Sequence, residues 1–217
     1  MINKIFGDLP MKFVKSSFSI LFVVASVAST TLLPIQRAVA DANPTALAPV
    51  TPQTLVTNRA ITEAEVLAAQ KAWGEALVAI STTYDQKGMA AAKALAEKVI
   101  DGAYGYQFGP VLFKPTLTVA PQTFRTTRAG ALSYFVGGDP NFPNDKGFAL
   151  NGWRSVEIRN AAIFISGNTA TTMGNVLITD KNGKVTIVDK TWQFLKDDNG
   201  KLRIVLHHSS LPYTAAK

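Results

Sequence analysis

Residues 153–209 read WRSVEIRNAAIFISGNTATTMGNVLITDKNGKVTIVDKTWQFLKDDNGKLRIVLHHS. Four β-rich runs stand out: Trp153–Ile165, Thr169–Thr179, Lys184–Leu195 and Lys201–Ser209. Between them lie Gly167-Asn168, Asn182-Gly183 and Asn199-Gly200, residues suited to tight hairpin turns. Strands joined by turns this short pair antiparallel, because a parallel pair needs a long crossover. The segment therefore predicts a four-stranded antiparallel meander.

Upstream, the apolar period changes from two to about 3.6. Thr62-Glu63-Ala64-Glu65 has the form of a capping box, in which the Thr62 hydroxyl accepts from a free backbone N–H and Glu65 reaches back. Val66, Trp73, Leu77, Ile80 and Tyr84 then share one helical face. Gly88 breaks this helix, and a second, alanine-rich one follows over Met89–Asp101, with Ala92, Leu95 and Val99 on one side. Tyr104–Leu117 is a short strand region interrupted by Gly and Pro. A third helix, capped by Thr126 or Thr127, runs to about Phe135, and Gly137-Gly138 closes it. Helices first and strands afterwards mean an α+β protein with its helices packed on one face of the sheet.

The amino-terminal part has a different logic. Lys12 and Lys15 precede the apolar run FSILFVVASVA (Phe18–Ala28), and Ala38-Val39-Ala40 is a small-residue cleavage site. Residues 1–40 are expected to be a secretory signal peptide, and residues 41–60, with Pro44, Pro49 and Pro52, a flexible tail. The domain then occupies 61–217. This reading expects a periplasmic or secreted protein with no membrane contact after cleavage.

Composition narrows the chemistry. With no cysteine among 217 residues, disulfides, thiolate metal sites and cysteine nucleophiles are excluded. The formal charge is +7, of which the first forty residues hold +3 (Lys4, Lys12, Lys15 and Arg37 against Asp8), leaving a scattered +4 on the rest. That pattern predicts no nucleic-acid partner, since a nucleic-acid surface clusters its cations. No phosphate loop, Ser-His-Asp order or zinc-protease motif occurs, and Asp139–Asp145 lacks the spacing of a calcium loop, so neither metal nor cofactor is expected.

Three helices followed by a curved meander is the element order of the NTF2-like (SnoaL-like) cone. Thr191-Trp192-Gln193-Phe194, Asp197 to Ile204 and the ending His207-His208-Ser209-Ser210-Leu211-Pro212 resemble the closing hairpin of one branch of that superfamily. That branch holds the association domain of calcium/calmodulin-dependent protein kinase II and its stand-alone bacterial relatives. Tyr104–Thr116 and the helix from Arg125 to Phe135 resemble it too. The resemblance implies a conical cavity between the helices and a curved antiparallel sheet, and a homodimer or higher homo-oligomer.

Candidate site residues follow from this frame. Strict alternation puts Leu202, Ile204, Leu206, His208 and Ser210 on one face of the last strand, and Arg203, Val205, His207 and Ser209 on the other. The first set is more apolar, so His208 is expected to face the cavity as a general acid or base. Lys190 alternates with Trp192 and Phe194 onto the core face, where an ammonium is costly and suits an anion clamp. Arg125, at the mouth of the third helix, is a second cation, with Arg128 and Arg159 as further candidates. Tyr106, Trp153 and His207 complete the expected ligand-binding set. No carboxylate is clearly placed for isomerase or dehydratase chemistry, since Asp189 alternates opposite to Trp192. The reading is a domain that binds a small, anionic, partly apolar ligand. The alternatives are an isomerase or lyase using His208, or a non-catalytic oligomerisation domain.

Overall fold

The computed structural model describes residues 59–215; the expected leader, and all but the last two residues of the expected tail, lie outside them. The first helix, α1 (Glu63–Ala103), opens on the expected capping box: Thr62 Oγ1 accepts from the Glu65 N–H at 3.3 Å, and Glu65 Oε2 accepts from the Thr62 N–H at 2.8 Å. It consists of two helical limbs joined at Gly88, whose φ of 77° belongs to glycine. Val66, Gln70, Trp73, Leu77 and Ile80 on the first limb, and Ala92, Ala96 and Ile100 on the second, are buried. A short strand, β1 (Leu112–Lys114), and a second helix, α2 (Arg128–Val136), follow. The Thr127 hydroxyl accepts from the Gly130 N–H at the start of α2, and Gly137 ends it. No helix among the described residues is long and apolar enough to cross a membrane.

The meander is present: β2 (Trp153–Ser166), β3 (Thr169–Asp180), β4 (Val185–Lys196) and β5 (Leu202–Ser210) pair antiparallel in succession. The sheet differs from a simple meander at one edge. There β1 pairs parallel with β5, so the sheet is mixed, in the order β1-β5-β4-β3-β2. α1 packs on one face, giving the expected α+β, NTF2-like architecture of helices on a curved sheet.

Three register shifts interrupt the pairing, one of them at Arg154 near the start of β2, and the other two shape the cone. In β2 the register slips at Ala161, between Asn160↔Gly174 and Ala162↔Met173. Gly174 is required there, since a Cβ would lie 2.1 Å from the Arg159 carbonyl oxygen. In β5, Gln193 pairs with Leu206 but Phe194 with Ile204, leaving Val205 as an extra residue. A one-residue bulge reverses the phase of every side chain beyond it. Ile204, His207 and Ser209 are therefore buried together, and His208 is exposed.

Candidate active site

The inner face of the sheet carries a polar cluster inside an aromatic shell. Alternation along β4 turns Val188, Lys190, Trp192 and Phe194 inward, and the Val205 bulge adds His207 and Ser209 from β5. Across from them, α1 contributes Trp73 and, just past its end, Tyr104. Phe113 of β1 stacks on His207 with ring centroids 4.5 Å apart, and Trp73 meets the Trp192 and His207 rings edge-on.

Two sets of polar atoms lie here. The first is a hydrogen-bonded chain. Trp73 Nε1 donates to Tyr104 Oη at 3.1 Å, Tyr104 Oη lies 2.9 Å from His207 Nδ1, and His207 Nε2 lies 3.0 Å from Lys190 Nζ. Lys190 Nζ also sits 4.1 Å from the centroid of the Trp73 ring and 5.1 Å from that of Trp192. Burial pulls the Lys190 pKa down to about 7. It also pushes His207 well below its usual value, with Lys190 and His208 adding repulsion, so the imidazole is neutral. Burial raises the Tyr104 phenol far above its ordinary range.

The second set consists of hydroxyls. Thr116 Oγ1 and Ser209 Oγ are 2.6 Å apart. Lys114 Nζ donates to the Ser209 carbonyl at 2.9 Å, bringing a half-buried ammonium to the edge of the pair. Tyr134, from α2, is 5 % exposed and packs against Phe113, Phe135 and Phe148. Its hydroxyl is buried and has no hydrogen-bond partner, and the same is true of Trp192 Nε1. Burial raises the Tyr134 pKa, an effect that the adjacent Leu117 and Thr116 groups partly offset. A buried hydroxyl without a partner costs about 1–3 kcal/mol, so one placed beside two others marks a position for a ligand. Tyr134 also lines a small cavity of about 120 Å³ with Leu117, Asp145 and Phe148. A larger groove of about 720 Å³ between α1 and β2 contains neither the hydroxyls nor the Lys190–His207 pair.

The expected site residues divide accordingly. Lys190, Trp192 and His207 come together in the cluster. His208 does not: the bulge turns it to the outer face, beside Met173, Asn175 and Asp189, which corrects the orientation derived from strict alternation. Arg125 is buried but occupied, with Nη2 2.7 Å from Asp145 Oδ1 and its guanidinium 4.7 Å from the Phe142 ring centroid. Tyr106 stacks on Tyr104 and donates to the Arg125 carbonyl at 2.9 Å. Trp153 is spent on packing against Phe148 and donating to its carbonyl. Arg128 pairs with Asp101, and Arg159 with Glu157, both at the surface. Thr116, Tyr134 and Lys114 were not singled out from the sequence, although all three lie in stretches that carried the family resemblance. Among the described residues no group of three His, Asp or Glu side chains is placed to hold a metal.

A family model described as metal-independent carbonic anhydrase matches residues 64–211. The chain belongs to the metal-independent carbonic anhydrases. A member of this family from Nostoc sp. (strain PCC 7120 / SAG 25.82 / UTEX 2576) is 70% identical over 203 residues, covering 94% of this chain and 99% of its own. The crystal structure of an iota-carbonic anhydrase from a cyanobacterium, complexed with bicarbonate, is 80% identical, covers 76% of this chain and 100% of that one, and superposes with a TM-score of 0.73. A nuclear transport factor 2 (NTF2-like) superfamily protein from Salmonella enterica also matches, at 14% identity over 70% of this chain and 96% of its own, with a TM-score of 0.35.

Membership in the metal-independent carbonic anhydrases corrects the function read from the sequence. A domain that merely holds an anionic ligand, an isomerase or lyase built on His208, and a non-catalytic oligomerisation domain are all replaced by a specific enzyme family. The groups that converge inside this cone are hydroxyls, a neutral imidazole and a lysine.

Proposed function

We propose that the protein hydrates CO2 to bicarbonate without a metal, at the hydroxyls of Thr116, Ser209 and Tyr134. The observation that carries this reading is the unpartnered Tyr134 hydroxyl beside the Thr116–Ser209 pair, in a chain of the metal-independent carbonic anhydrase family. The bicarbonate bound to the cyanobacterial relative supports a small anionic product.

The chemistry suits both ends of the reaction. CO2 is uncharged and offers no donor, and the Phe113, Phe135 and Phe148 rings give it an apolar wall. As a water oxygen bonds to carbon, negative charge develops on the two CO2 oxygens. Fixed donors in a site of low dielectric stabilise that charge far more than bulk water does. The Tyr134 O–H is one such donor. Within the Thr116–Ser209 pair one hydroxyl donates to the other, and the acceptor keeps its own hydrogen for the substrate. Lys114, held on the Ser209 carbonyl, adds positive potential for the bicarbonate.

Thr116→Val and Ser209→Ala each remove one hydroxyl. Each is expected to lower kcat for CO2 hydration on the order of 10²-fold and to cost about 1 kcal/mol of stability. Full hydration activity in both variants would move the reaction elsewhere. The reading also includes export through the leader at 1–40, and a homodimer formed through the outer sheet face, where Phe164, Met173 and Ile187 are exposed. Amino-terminal sequencing of the exported protein should begin at Asp41, and light scattering should give twice the mass of the mature chain. An uncleaved chain or a monomer would remove these two points.

A further inference from the structure

Hydration releases a proton as well as bicarbonate, and the hydroxyl cluster has no group that can keep it. Lys190 is opposite Ser209 in the β4–β5 register, and both side chains point inward. Residues opposed in this way are close neighbours on a sheet face. We propose, resting on the function proposed above, that Lys190 is the proton acceptor of the reaction and that His207 changes tautomer as Lys190 changes charge.

The argument is one of donors and acceptors. Trp73 Nε1 can only donate, so Tyr104 Oη accepts from it. If Tyr104 gives its own proton to His207 Nδ1, the neutral imidazole carries its hydrogen on Nε2 and donates to Lys190 Nζ. That bond requires a lone pair on Nζ, hence a neutral amine, and in this arrangement each of the three links from Trp73 to Lys190 has one donor and one acceptor. If Lys190 is instead an ammonium, Nζ donates to Nε2, the imidazole proton moves to Nδ1, and Tyr104 becomes the acceptor. The Tyr104 hydrogen then has no acceptor in the chain, at a residue that is fully buried. Two rings oppose this penalty, because Trp73 and Trp192 both favour the ammonium. Burial favours the amine and pulls the pKa down to about 7, near the pH at which carbonate chemistry runs.

The titratable groups around Lys190 are His207 on β5, Tyr104 after α1 and Tyr134 on α2, with Lys114 of β1 behind Ser209; Asp189 and His208 belong to the outer face of the sheet. Among the described residues no carboxylate forms an ion pair with Lys190. The step balances without any other reagent: the water oxygen bonds to carbon, one O–H bond breaks, the proton ends on the Nζ lone pair, and bicarbonate forms beside the ammonium. Deprotonation to solvent then resets the amine. Hydration therefore needs the amine and rises with pH through about 7. Dehydration needs the ammonium and falls over the same range.

The test is ¹⁵N NMR of histidine-labelled protein, with His208→Gln leaving His207 as the only histidine signal, titrated from pH 6 to 9. His207 is expected to stay neutral and to exchange Nε2–H for Nδ1–H as pH falls through about 7, with bicarbonate moving the midpoint upward. Lys190→Met, which never carries charge, should fix the tautomer and lower kcat roughly 10²-fold. Lys190→Arg, which never loses its charge, should not restore it. A His207 tautomer that ignores pH in an active enzyme, or one that still switches in Lys190→Met, overturns the inference alone. A switching His207 in a protein without hydration activity overturns the function reading, and the proton's role with it.

Discussion

Replacing Tyr134 with phenylalanine should separate stability from function. The ring contacts with Phe113, Phe135 and Phe148, at centroid distances of 5.7, 5.6 and 5.4 Å, are all available to phenylalanine. The lost atom is a buried hydroxyl that has no hydrogen-bond partner. Its burial costs about 1–3 kcal/mol, and a part of that is recovered when it is removed. Weak neighbouring interactions with Thr116 and Leu117 reduce the gain, so Tyr134→Phe should be more stable by about 1 kcal/mol, or roughly 2–4 °C in Tm for a chain of this size. Activity should move the other way. Loss of one fixed donor to the developing charge costs about 10²–10³ in kcat. Urea unfolding and stopped-flow CO2 hydration on the same preparation measure both. A variant destabilised by 1 kcal/mol or more would mean that the hydroxyl has a structural partner. A stable, fully active variant would mean that it does not meet the substrate.

Two further outcomes follow from the buried charges. Lys190 binds its proton more weakly in the fold, at a pKa of about 7, than the ordinary lysine value of 10.5. Its contribution to stability is therefore present above about 10.5 and lost as pH falls to about 7, with a slope of up to about 1.4 kcal/mol per pH unit. The phenols of Tyr104, Tyr106 and Tyr134, whose pKa values are raised, contribute stability that is lost only above pH 10. Between pH 7 and 9.5 stability should thus rise in the native protein and flatten in Lys190→Met; parallel curves for the two proteins would contradict this. Arg125→Met leaves Asp145 buried without its partner, at an expected cost of about 3–5 kcal/mol. Asp145 lines the cavity at Tyr134, so kcat should fall along with Tm, and an unchanged Tm on thermal unfolding would contradict the burial of the pair.

Local grammar made most of the fold legible. The turn pairs Gly167-Asn168, Asn182-Gly183 and Asn199-Gly200 bound the strands to within about a residue, and Thr62, Gly88 and Thr127 mark the helix limits. Alternation placed Lys190 and Trp192 correctly, because β4 runs inward without interruption at both. The same rule failed three residues into β5. Val205 is an ordinary β-branched residue, and its role as an extra residue is set by pairing with Gln193 and Phe194, which alternation does not encode. That single insertion exchanged His208 for His207. Thr116, Ser209 and Tyr134 escaped notice for another reason: Ser, Thr and Tyr are common in strands and helices, and they become a site only when β1, α2 and β5 bring them together. Arg125 carried a strong charge signal that belonged to structure, since its partner Asp145 lies twenty residues away in a loop.

The most direct measurement is CO2 hydration by the purified protein after exhaustive chelation and confirmation that it is metal-free. The proton release that follows mixing with CO2 should be faster than the uncatalysed reaction, unchanged when zinc is added back, and lost in Tyr134→Phe and Ser209→Ala. Hydration no faster than buffer, or hydration that appears only when a metal is restored, would contradict catalysis by the hydroxyl cluster.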